Sequence, residues 1–155
     1  MADETTQAVR SAIEDRAAYL YFLFKEMEAA YGRQAAVELA GRAIFRYGQA
    51  KASAMPPMGA PVDFLRHQMR PGRREIFDKE VAEEAPSRSE VRFHHCPLVQ
   101  AWKRLGATRE ELGLLCDIAM QGDFGMVSGC PFTLRIAGSI AKGDACCRLV
   151  VEAKE

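Results

Sequence analysis

The sequence predicts an α+β domain in which an N-terminal helical hairpin packs on a small antiparallel sheet, with two helices intervening between strands. Three observations carry this. Apolar residues recur at steps of three and four through the first fifty positions, and the period changes to two around Val91 and again after Phe132. Proline-rich and capped boundaries separate the stretches. A length of 155 residues suits one domain with a single core. We read it as a hairpin over residues 1–53, a Pro-rich loop over 54–62 and an α+β part over 63–155.

The first helix runs from about Thr6 to Ala30, with Val9, Ile13, Ala17, Leu20, Phe24 and Met27 on one face and Gly32 ending it. The second runs from Arg33 to Ser53 on the stripe Val37, Ala40, Ile44 and Tyr47. The run Tyr19 to Phe24 is apolar nearly all round, so it should be buried in the core or against a second subunit. We expect a homo-oligomer joined through these helices. Met55 to Pro61 then carries three prolines, which fix φ and lack amide donors. It reads as a loop and a candidate lid.

Val91, Phe93 and His95 alternate with Arg92 and His94, as in a half-buried strand with His95 inward. Phe77, Lys79 and Val81 suggest its partner, with Ala85-Pro86-Ser87 as the turn. Cys96-Pro97 opens a short helix that ends at Gly106, which puts Cys96 at the N-cap. Thr108 to Glu111 forms a capping box for a further helix with Leu112, Leu115, Cys116 and Ala119 inward. Strands at about Phe132–Ala137 and Cys146–Ala153 complete the domain. On the last one Cys147, Leu149 and Val151 share a face.

Composition removes several function classes. Apolar residues make up 48% and charged residues 27%, and 21 basic residues balance 21 acidic ones, so neither a membrane span nor capture of a nucleic-acid backbone is supported. The start of the chain lacks the basic and apolar regions of a secretory signal, and the five cysteines are an odd number. A cytoplasmic protein with free or ligating thiols is the expectation.

The chemistry should lie where thiols and acids recur. At a helix N-cap, free amides and the helix dipole favour a Cys96 thiolate, against the alternative of a small buried hydrophobe, and the inward His95 beside it reads equally as a structural or a catalytic histidine. Cys116 and Cys147 fall on apolar faces, where core packing is the plainer role. Asp123 and Asp144 each follow a glycine, so a turn-forming role competes with a chemical one. Asp117 also reads as the solvent edge of its helix. Cys96, Cys116 and Cys147, with His95 or Asp144, would make a sensible zinc set, yet no ligand spacing typical of zinc or another divalent metal is present.

The strings Cys96-Pro97-Leu98-Val99-Gln100-Ala101-Trp102, Leu115-Cys116-Asp117-Ile118-Ala119 with Gly122-Asp123, and Ile140-Ala141-Lys142-Gly143-Asp144-Ala145-Cys146-Cys147 resemble the L-2-amino-thiazoline-4-carboxylic acid hydrolase family. Cys96, Cys116, Asp117, Asp123, Asp144 and Cys147 occupy its motif positions. Cys130 stands where a bulky apolar residue is expected, and Ser139 where threonine is. The resemblance implies a small-molecule substrate, a cyclic amidine opened at a C–N bond as in formation of S-carbamoyl-cysteine. Cys96, His95, Asp117, Asp144 and Cys147 would take catalytic roles, with Cys116 and Asp123 binding substrate. Attack by Cys96 or by metal-bound hydroxide are both compatible with these residues. A substrate carboxylate would need a cation, for which Arg92, Lys103 and Arg135 are candidates. The rival reading is a non-catalytic binding or sensor domain with a structural Cys-rich metal site, similar to vinyl-reductase-type ligand-binding domains.

Overall fold

The computed structural model describes residues 2–155. Helix α1 spans Glu4–Tyr31, α2 Arg33–Ser53, α3 Pro61–Gln68, α4 Pro97–Arg104 and α5 Arg109–Val127. The strands are β1 Lys79–Glu84, β2 Arg88–Phe93, β3 Phe132–Gly138 and β4 Cys147–Ala153. Short 3-10 turns lie at Glu75–Phe77 and Ile140–Lys142. The α+β architecture and the helical pair at its N-terminus are as expected.

Asp3 starts α1 by accepting a 2.7 Å bond from the Thr6 amide. Gly32, at φ 86°, is the single residue between α1 and α2. The two helices then lean on different partners, α1 on α4 and α2 on α5. The Trp102 indole donates to the Ala17 carbonyl at 2.9 Å and fixes the first contact. In the second, a Cβ added at Gly48 or Gly125 would run into the backbone of the facing helix, at Gly122 and Phe45 respectively. These glycines let the axes approach. This corrects the expected turn at Gly122-Asp123, because α5 passes straight through it to Val127.

The Pro-rich stretch is shorter than expected, since Pro61 is the first residue of α3, where its missing amide costs nothing. Asp63 closes the start of this helix by accepting from the amides of Gly59 and Ala60. Phe64 and Leu65 bury α3 against the sheet, and Met55 and Met58 pack beside them. The loop is docked by these side chains.

The sheet is antiparallel in the order β1-β2-β4-β3. Val91, Leu149, Val151 and Phe132 on its inner face pack with Phe64, Leu65, Met126 and Val127. A second core, around Phe24, Trp102, Leu115 and Ile118, belongs to the helices. The outer face is charged. Glu90 lies there, nearly buried beneath Arg148, Arg92 and Arg88. Of the apolar run in α1, Phe24 is buried and Leu20 half-buried, whereas Tyr19, Phe22 and Leu23 are exposed. No helix among the described residues is long and apolar enough to cross a membrane.

Candidate active site

A cavity of about 440 Å³ lies where the helical core meets the inner face of the sheet. Its lining is mainly apolar, with Trp102, Phe77, Phe93, Leu20 and Met120 as large contributors. Three thiols reach it from three elements: Cys96 from the N-cap of α4, Cys116 from α5 and Cys147 from the start of β4. One turn links two of them. Its Ser139 hydroxyl lies 3.3 Å from the Cys116 sulfur, and its Ile140 amide donates to the Cys147 sulfur at 3.3 Å. The thiols share one cavity, whereas Asp117, Asp144 and His95, at least one of which was expected beside Cys96 and Cys147, are not in its lining.

The acids divide differently from the sequence expectation. Asp123 lines the cavity and is the single carboxylate that does so among the described residues. Burial pushes its carboxyl group up, while Lys51, Lys79 and Arg73 act in the opposite sense from a distance. Asp117 lies on the outer side of α5, where it accepts a 2.6 Å bond from Lys142. Asp144 is exposed and accepts from the Ser139 amide at 2.8 Å, pinning the turn that carries Ser139 and Ile140. Neither lines the cavity. They order the turn whose Ser139 and Ile140 contact the sulfurs of Cys116 and Cys147.

His95 is also outside the cavity lining. Its amide bonds to the Phe77 carbonyl, and its buried Nε2 has no partner among the described residues. Burial, and secondarily Arg10, hold its pKa below the usual range. Cys96 lines the cavity and His95 does not, and no hydrogen bond joins the two among the described residues.

At Cys96 burial works against the expected thiolate. The amides of Leu98 and Val99 favour ionisation, but burial outweighs them and pushes this thiol up to about 12. Burial likewise raises Cys116 and Cys147. The described residues contain no group of three His, Cys, Asp or Glu side chains able to hold a metal ion, so the thiols do not fit the zinc set considered above.

The cations also differ. Arg92 pairs with Glu90 on the outer face of the sheet, while Lys103 and Arg135 are exposed, and none of these lines the cavity. Its cations are Arg16, Lys51, Arg73 and Lys79. Lys79 is 5% exposed and donates to the Gln68 carbonyl at 3.2 Å and to its side-chain oxygen at 2.7 Å. Its ammonium lies 4.8 Å from the centre of the Phe93 ring and 5.3 Å from that of Phe77. Burial, with Arg73 next, lowers its pKa to about 8. Arg73 donates to the buried His67, whose pKa burial lowers to about 4, so His67 is a neutral acceptor at its Nε2. In the sequence, Lys79 had registered only as part of a weak strand.

A sequence model of the L-2-amino-thiazoline-4-carboxylic acid hydrolase family matches residues 10–151, nearly the whole chain. No match to a curated protein was found.

Proposed function

We propose, because this chain belongs to the L-2-amino-thiazoline-4-carboxylic acid hydrolase family, that it hydrolyses a C–N bond of a small cyclic amidine held in the cavity. The observation that carries the reading is Asp123, the cavity's carboxylate, in a largely apolar chamber whose burial raises its pKa. An amidine is cationic when protonated and complements this group. Water adds to the amidine carbon and gives up a proton to Asp123. The ring C–N bond then breaks as that proton passes to the departing nitrogen, and the remaining hydroxyl proton moves to the freed Asp123 carboxylate as the carbonyl forms, leaving a free amine. Cys96 and Cys147 stay protonated and line the reacting end. Direct water attack is preferred to thiolate attack because burial opposes ionisation of all three thiols.

The test is to incubate the protein with 2-aminothiazoline-4-carboxylate and related cyclic amidines and assay the newly released amine. Asp123→Asn should lower kcat roughly a hundredfold or more. Failure of the folded protein to turn over any of these compounds removes the hydrolase reading. The second reading, binding without turnover, is favoured by the same protonated thiols. Saturable binding of an amidine that is recovered unchanged would establish it.

A further inference from the structure

We propose that Lys79 is the residue that captures a substrate carboxylate, and that the row Lys79–Phe93–Cys147 across the sheet sets how far that carboxylate lies from the bond that reacts. The inference rests on the cavity being the ligand site and deepens the hydrolase reading by naming a specificity determinant.

The row follows from the register. Lys79 of β1 is paired with Phe93 of β2, and Phe93 with Cys147 of β4. Directly paired residues share a face, so ammonium, ring and thiol stand side by side on the inner face, and all three line the cavity. Adjacent strands are about 4.8 Å apart, so the Cα atoms at the ends of the row are separated by roughly 10 Å. Side chains stand roughly perpendicular to a sheet, so ammonium and thiol face the cavity from the two ends of the row with Phe93 between them.

Lys79 has capacity for a ligand. Its ammonium carries three donors, and Gln68 takes two of them. Among the described residues it makes no ion pair, and Asp123 and Glu75 act on it only from a distance. Buried charges are ordinarily paired, and an ammonium held by a neutral amide and two aromatic faces lacks a counterion. Four cations against a single carboxylate on the lining add to the demand for an anion. A planar monocarboxylate meets it: the acid bonds to the third donor, and the flat body extends along the row toward Cys147.

The experiment uses benzoate as a probe and benzamide as its neutral isostere, with binding followed by calorimetry. Benzoate should bind at least roughly tenfold tighter than benzamide, the worth of a hydrogen bond to a charged group. Lys79→Met keeps the apolar stem and should lose that preference. It should not lower the thermal midpoint, because a buried unpaired charge is removed. Benzoate should also slow alkylation of Cys147 at the far end of the row. Equal affinity for the two compounds, an undiminished preference in Lys79→Met, or failure to protect Cys147 would overturn the proposal. Should Lys79→Met not fold, the wild-type ratio and the protection of Cys147 decide by the same criteria. Benzoate binding that depends on Lys79 in a protein that turns over no cyclic amidine would remove the hydrolase reading and leave this one standing.

Discussion

At Cys96 two forces oppose each other, since the amides of Leu98 and Val99 favour a thiolate and the apolar walls disfavour it. The walls win, so iodoacetamide should modify Cys96 slowly at pH 7.5, and its rate should still be rising above pH 10. A mass-spectrometric rate near that of a free thiolate would contradict the burial argument. His67 and Glu90 both have depressed pKa values, His67 through burial and Glu90 through its arginines against burial. The His67 pKa falls from 6.5 unfolded to about 4 folded, so between these values the unfolded chain binds the extra proton and the fold loses stability as pH falls through the window. The loss is at most about 3 kcal/mol, and His67→Gln should flatten it in urea titrations at pH 7 and pH 4.5. Glu90 is held down to about 2, first by its bonds to Arg148 and then by Arg92. Its stabilisation is complete above 4.5 and is lost as pH falls toward 2. Lys79 follows the same sign at higher pH: its burial penalty is full below about 8 and fades as pH rises to 10.5, so stability again rises with pH.

Among the elements, the contact of α2 with α5 depends on glycine. Gly48→Ala or Gly125→Ala would force a Cβ into the opposing backbone, and the helices must separate, at a cost of about 3 kcal/mol or more. Chemical denaturation would show it, and a midpoint unchanged from wild type would refute the close approach. The same glycines show where the sequence was legible and where it was not. Helices α1, α2 and α4, the capping box of α5 and the β1–β2 hairpin follow local rules of period, cap and turn, and each was readable. Gly122 and Gly125 have the composition of a turn, and only the facing helix makes them a packing surface. Similarly, the third proline of a breaker segment became the start of α3. In the candidate site, the thiols were legible from their spacing on apolar faces. Asp117, Asp123 and Asp144 were indistinguishable, because which carboxylate faces inward depends on the rotation of α5 and on the Ser139 turn. Lys79 was hidden because its burial depends on cross-strand register and on Gln68.

For the whole molecule, the exposed Tyr19, Phe22 and Leu23 keep the expectation of self-association open to a direct test. Light scattering at micromolar concentration should give a multiple of 17.2 kDa, and Phe22→Glu should return the mass to that of one chain. A wild-type mass of one chain would end that expectation. The position of the cavity has a separate outcome. It is a seam between two cores, one made by the helices and the other by the sheet with α3, and its walls draw on both. A small molecule filling it acts as mortar. Amide hydrogen exchange should therefore slow together in α1, whose Ile13 and Leu20 form one wall, and in β4, whose Cys147 and Leu149 form the other. Protection confined to one side would mean that the two blocks breathe independently.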